Sequence, residues 1–303
     1  MNDAISHLTL PARHMTFPTL SAGEVGGEVV LCLHGFPDLN RTFRHQLPAL
    51  AASGYHAVAP TLPGYHPSCQ SPLGRYHLSA TVDDLFGVLD ALGAERAHVV
   101  GHDWGAVLGY GMAARAPERL LSLTAMAVSL PRGMVRAVER VWAQLRCSWY
   151  IGFFQLGRTA ELRVEVDDWA FIDRLWRTWS PAYVCPSGEM RRIKEALGLP
   201  GVKAAALAYY RDAFDLRSLD ARRTRDLFQA RIQVPTLGLN GSQDGCMDPR
   251  FFALSMHPED FPGGLEVKTI PGAGHFLHLE AALVVNRLIL DWLRQHPDTT
   301  ERL

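Results

Sequence analysis

Residues 98–111, HVVGHDWGAVLGYG, set a carboxylate, Asp103, in the middle of a run of small side chains. Gly101, Gly105, Ala106, Gly109 and Gly111 are what a sharp strand-to-helix turn packed tightly on a sheet requires. Serine is the usual central residue of such a turn. A hydroxyl attacking a saturated carbon would form an ether, which water does not readily cleave. A carboxylate attacking the same carbon forms an ester, which base-activated water can hydrolyse. Asp103 therefore points to a substrate opened at a saturated carbon rather than at an acyl centre.

Such a turn needs a sheet beneath it. After a short N-terminal segment, GGEVVLCLHG (26–35) reads as a turn and an apolar strand ending at His34-Gly35. A helical pattern follows over 41–54, then a short strand within 55–65. Residues 78–94 place Val82, Leu85, Phe86, Leu89 and Leu92 at helical spacing, closed by Gly93. HVVGHD is the next buried strand, 104–116 a helix and 119–128 another strand. The alternation returns with a strand in 232–241, a helix near 249–256, a strand at 265–270 and a last helix at 280–296. Strands alternating with helices predict an α/β fold with a mostly parallel sheet and helices on both faces.

Between Pro131 and about Asp215 the pattern is helical, and five of the seven tryptophans fall there. This predicts a core of residues 1–129 and 216–303 interrupted by a helical cap at 130–215. The insertion follows a strand, so it sits over the carboxyl ends of the strands, where open α/β sheets bind ligands. Its aromatic load leaves rings to line a cavity between cap and sheet.

Thirty basic and thirty-one acidic side chains give a net charge of −1, which makes no electrostatic case for nucleic acid or an anionic membrane. The start, MNDAISHLTL, lacks the basic and apolar regions of a signal peptide. Cys32, Cys69, Cys147, Cys185 and Cys246 are scattered without a C-x-x-C pair and read as reduced, so the expected location is cytoplasmic.

HGFPD (34–38), GHDWGA (101–106), an acid in NGSQDG and a histidine in PGAGHF resemble the α/β-hydrolase family, most closely its epoxide hydrolase and haloalkane dehalogenase branch. The motifs stand in the family's order of nucleophile, acid and histidine. The resemblance implies an α/β-hydrolase fold with Asp103 as nucleophile, His275 as general base and Asp244 as the acid that orients it. His278 competes for the base, but it falls at the start of the last helix. Asp248, before a proline, reads as a helix cap. Some relatives place the acid after the preceding core strand, where this chain has Ser129. By the same resemblance the amides of Phe36 and Trp104 form the oxyanion hole, and Pro37 takes a cis or tight-turn conformation.

The leaving group decides between the two branches. An epoxide opens to an alkoxide and needs a proton or strong hydrogen bonds; a halide needs only N–H donors. WYIGFFQLG (149–157) resembles the epoxide hydrolase segment that carries a tyrosine five residues before the glutamine, giving Tyr150. LAYYRDAF (207–214) resembles the second segment, giving Tyr210, and neighbouring helix residues diverge by about 100°, so Tyr209 and Tyr210 cannot both face the cavity. Trp104, Phe36, Trp149 and Phe153 are the expected substrate contacts. Asp38 and Gln155 are further cavity candidates, Asp38 equally a cap. TLPGYHPSC (61–69) departs from the family, with Thr61, Pro63 and His66 in place of an acid, an arginine and a glycine.

The implied reaction is hydrolysis of an apolar epoxide to a vicinal diol through an ester to Asp103, with no cofactor or metal. The implied partners are the substrate and water, with no nucleic acid or membrane, and the protein acts as a monomer or homodimer. The alternatives are a haloalkane dehalogenase with the same nucleophile and a silent small-molecule-binding relative.

Overall fold

The computed structural model describes residues 5–215 and 217–299. Eight strands form one sheet: β1 (Ser6–Ala12), β2 (Met15–Ala22), β3 (Val29–Leu33), β4 (His56–Pro60), β5 (Ala97–His102), β6 (Leu120–Met126), β7 (Thr236–Gly241) and β8 (Leu265–Ile270). Their order is β1-β2-β4-β3-β5-β6-β7-β8. All pairs from β4 onward are parallel, and only β2 runs against its neighbours. The parallel α/β architecture is as expected.

The core helices are α1 (Gln46–Ala51), α2 (Leu78–Ala91) and α3 (Trp104–Arg115). Between β6 and β7 the chain forms α4 (Pro131–Ala137), α5 (Ala143–Cys147), α6 (Trp149–Phe154), α7 (Arg158–Trp179), α8 (Ser187–Leu197), α9 (Val202–Asp212) and α10 (Leu219–Phe228). The last helices are α11 (Pro249–Ser255), α12 (Leu277–Glu280) and α13 (Ala282–Gln295). Helix α7 is broken at Val166–Trp169, where Asp167, Asp168 and Trp169 take positive φ. Helix α10 packs on α2 and α3, on the sheet side of the expected cap boundary. That boundary itself, at 216, falls outside the described residues.

The period of two along a strand explains how one sheet carries two cores. In β3, Leu31 and Leu33 join Val82, Leu85, Leu108 and Leu123 under α2 and α3. Val30 and Cys32 face the other way, onto Leu47 and Leu50 of α1 and Val285, Ile289 and Leu293 of α13.

Two features differ from the sequence reading. The N-terminal segment is a β1–β2 hairpin turning at Arg13, which has φ 54°. Its alternation is interrupted by Pro11 and Pro18, which an edge ladder tolerates but which obscure the pattern. The helix expected over 41–54 is only α1, preceded by a 3-10 turn at Asn40–Phe43.

The topology places the site. The chain passes from β3 to β4 on one side and then to β5 on the other, so the crevice between the carboxyl ends of β3 and β5 is a switch point where such sheets bind ligands.

Candidate active site

Asp103 sits at that crevice, between β5 and α3, with φ 54° and ψ −118°. Such a backbone holds its side chain up from a tight turn, and close packing requires glycine around it. A Cβ on Gly105 would overlap the carbonyl of Leu33, so α3 begins in direct contact with β3. A Cβ on Gly35 would overlap the Asp103 side chain itself. The loop after β3 therefore lies against the carboxylate, and the Phe36 amide donates to Asp103 Oδ1 at 2.8 Å. The Phe36–Pro37 bond is cis. Trp104 is the first residue of α3, so its N–H has no acceptor within the helix and is free for an anion.

The loops after β7 and β8 bring the other two groups. His275 Nδ1 meets Asp244 Oδ2 at 3.1 Å, and His275 Nε2 lies 3.4 Å from Asp103 Oδ2. Asp244 Oδ1 accepts from the amides of Cys246 and Met247 at 2.7 and 2.9 Å, which fixes its carboxylate. The His275 amide donates to Trp179 O at 3.0 Å. All three side chains are buried. His278 instead pairs with Thr42 Oγ1 at 2.6 Å and leans on the Phe43 ring, while Asp248 caps α11 by accepting from the Arg250 amide.

The charges follow from these contacts. Burial would raise the Asp103 pKa, but His275, His102 and the Phe36 amide outweigh it and hold the carboxyl below its ordinary range. Burial would lower the His275 pKa, yet Cys246, Asp244 and Asp103 more than offset it and hold it well above 6.5. Burial, with the Asp103 charge among the further causes, drives the phenols of Tyr150 and Tyr210 well above 10, so both keep their protons. Asp103 is therefore an ionised carboxylate near two phenols that keep their protons and can donate them.

Those phenols come from different helices, Tyr150 from α6 and Tyr210 from α9. Their rings meet edge to face at 5.7 Å. Tyr210 also packs on Phe36, Trp104 and Phe154 at 5.6, 5.0 and 4.9 Å. Gln155 donates to the Tyr210 carbonyl at 3.1 Å and so ties α6 to α9. Tyr209 turns the other way: its hydroxyl donates to Pro63 O at 2.7 Å and its ring stacks on Tyr76. The unusual 61–69 loop thus anchors α9, and it is held in turn by the Leu62 amide donating to His34 Nε2. Asp38 accepts from the Leu39 amide at 2.7 Å.

Two expected substrate contacts lie elsewhere. Trp149 is 42% exposed, with the Arg174 guanidinium over its ring at 5.2 Å, on the wall of a surface cleft of about 320 Å3. Phe153 stacks on Phe171 at 5.2 Å, outside Phe154. The reason is helical spacing. Tyr150 and Phe154 are four apart and share the inner face, which leaves Trp149 and Phe153 on another. The rings that do reach the site, and that sequence reasoning missed, are Phe154 and Trp179, the latter 4.9 Å from the His275 ring and 5.0 Å from Tyr150. Once Tyr150 is taken as inward-facing, the i+4 rule would have found Phe154. Trp179 ends α7 beyond the break and carried no such signal.

Comparison with known proteins places the fold. The alpha/beta hydrolase fold family matches residues 28–282. The chain is 31% identical to epoxide hydrolase A of Mycobacterium tuberculosis, covering 90% of this chain and 92% of that one. It is also 31% identical to epoxide hydrolase 3 of Siraitia grosvenorii, covering 97% and 99%. The crystal structure of epoxide hydrolase A from Mycobacterium thermoresistibile superposes with a TM-score of 0.81 at 26% identity, covering 96% of this chain and 98% of that one. With the family match spanning residues 28–282 and relatives named epoxide hydrolases similar over nearly the whole chain, this protein belongs to the α/β-hydrolase family and is a hydrolase.

Proposed function

We propose that the protein hydrolyses an apolar epoxide to a vicinal diol through an ester to Asp103. The observation that carries this reading is the pair of buried tyrosines, Tyr150 and Tyr210, whose rings meet edge to face in an aromatic cage near Asp103; burial keeps both phenols protonated. An epoxide oxygen needs such donors when its ring opens to an alkoxide, and the cage supplies an apolar floor for the carbon frame.

The Phe36 amide holds Asp103 Oδ1, which leaves Oδ2 to attack a ring carbon in line with the breaking C–O bond. That bond's electron pair goes to the epoxide oxygen, which takes its proton from the tyrosine pair. The ester no longer carries the Asp103 charge, so one of the groups that keep His275 protonated is lost and its pKa falls. His275 gives its proton to the tyrosinate left by ring opening and becomes the neutral imidazole that can act as base. His275, oriented by Asp244, then removes a proton from water as it adds to the ester carbonyl. The Phe36 and Trp104 amides receive the oxyanion, each such donor being worth about 3–4 kcal/mol. Collapse breaks the bond from the former carboxyl carbon to Oδ2, the diol leaves with that oxygen and takes its proton from His275, and the regenerated Asp103 carboxyl returns its proton to the imidazole. The helices over residues 130–215 act as the cap that closes this pocket. Free, scattered cysteines support a cytoplasmic setting, and no helix among the described residues is long and apolar enough to cross a membrane.

His275→Gln tests the reading, because it should stall the reaction at the ester. Exposed separately to styrene oxide and a bromoalkane, the variant is expected to gain the mass of the whole epoxide on the Asp103 peptide. A gain of the alkyl group alone, from the bromide only, would establish dehalogenation instead. No adduct from either would overturn the ester mechanism.

A further inference from the structure

Cys246 lies two residues past Asp244, and the reaction above gives its thiol no task. Its Sγ is 3.3 Å from the Tyr150 hydroxyl. A carboxylate oxygen of Asp103, a ring nitrogen of His275 and this sulfur all lie within 4.8 Å of one another, and all three side chains are buried. His275 Nε2 is buried without a hydrogen-bond partner and stands 3.4 Å from Asp103 Oδ2.

One imidazole nitrogen, one carboxylate oxygen and one sulfur make a tetrahedral zinc-type donor set with the fourth position left for water. Bonds of about 2.0–2.1 Å to nitrogen and oxygen and about 2.3 Å to sulfur set ligand-to-ligand edges of about 3.3–3.6 Å. The His275–Asp103 edge already meets this at 3.4 Å. The sulfur lies within 4.8 Å of the other two atoms, so closing the set takes up to about 1 Å of movement, a turn of about 35° about its Cα–Cβ bond.

We propose that Asp103, His275 and Cys246 form a binding site for a thiophilic divalent cation of the Zn2+ type, which occupies the catalytic pair and stops turnover. The carboxylate and a thiolate balance the two positive charges, and His275 binds as neutral imidazole. The thiol proton leaves to solvent as the metal enters. Mg2+ and Ca2+, which take oxygen ligands, are not bound by this set. Binding rests on the geometry alone; its effect on turnover rests on the epoxide reading.

The test uses the full chain with the partly exposed Cys147 and Cys185 replaced by serine, so that these thiols do not compete. Co2+ is the probe. It is expected to saturate at a single equivalent with the intense near-ultraviolet absorption of a thiolate–Co2+ bond, to be displaced by Zn2+ and to be unaffected by Mg2+. That band disappears in Cys246→Val and Cys246→Ser, with thermal melts confirming that both variants are folded. In parallel, Zn2+ inhibits styrene oxide hydrolysis, a chelator restores it, and Cys246→Val raises the half-inhibiting concentration by about tenfold or more. No thiolate band in the folded parent, or a band and inhibition unchanged in Cys246→Val, overturns the proposal. Because Co2+ absorption needs no turnover, a protein that binds the probe but opens no epoxide would overturn the reaction and leave the metal site standing.

Discussion

At Asp103 the backbone is held at a positive φ that costs a non-glycine residue about 1–3 kcal/mol. The surrounding glycines and the Phe36 amide keep it there and aim the carboxylate. The tyrosines should then divide the work of ring opening. Tyr150→Phe and Tyr210→Phe each slow ester formation by about 10–100-fold, and the double variant by about 1,000-fold or more, read by single-turnover quench. Tyr209→Phe loses only its bond to Pro63, about 1 kcal/mol of stability, and leaves the rate of ester formation unchanged. An expected contact and a missed one give a sharper contrast. Trp149→Ala changes stability by less than about 1 kcal/mol and leaves kcat/KM intact. Trp179→Ala, beside His275, costs about 3–5 kcal/mol and lowers kcat/KM, as melts and steady-state rates would show.

At the scale of elements, contact between α3 and β3 holds the turn that carries Asp103. Gly105→Ala forces a Cβ onto the Leu33 carbonyl, so α3 or β3 must shift. The expected cost is about 1–3 kcal/mol or more, read as a lower Tm, with loss of activity exceeding the loss of folded protein. The elements that carry the three candidates were legible in the sequence because each candidate follows a short strand: Asp103 after β5, Asp244 after β7 and His275 after β8. The structure brings all three together. What was not legible is the rotation of each helix between β6 and β7. Spacing ties Phe154 to the face of Tyr150, but which face of α6 turns inward, and that Trp179 at the end of α7 meets His275, depend on the packing of one helix on another, which no local spacing encodes. The β1–β2 hairpin was hidden for a local reason, the prolines at 11 and 18.

At the scale of the whole molecule, burial opposes folding at neutral pH for two acids, Asp38 in the loop after β3 and Asp84 in α2, whose pKa values it raises to about 7 and about 6. Burial raises the Asp38 pKa to about 7 against only partial relief from Thr42, the Leu39 amide and Arg44. Between about pH 4 and pH 7 the unfolded chain has released this proton and the folded chain still holds it. Stability therefore falls as pH rises through that window, by up to about 4 kcal/mol, and then levels off. Asp38→Asn keeps an acceptor for the Leu39 amide and removes the titration. Its Tm should rise relative to wild type as pH increases from about 5 to about 8. A constant difference across that range would mean that Asp38 titrates normally.

The central claim is that Asp103 attacks the substrate and water attacks Asp103. A single turnover in H2(18)O, with enzyme in excess over styrene oxide, separates this from direct attack by water. The account predicts unlabelled diol from the first turnover and 18O in the Asp103 peptide. Labelled diol with an unlabelled Asp103 peptide would contradict it, because Asp103 would then be a base and not a nucleophile.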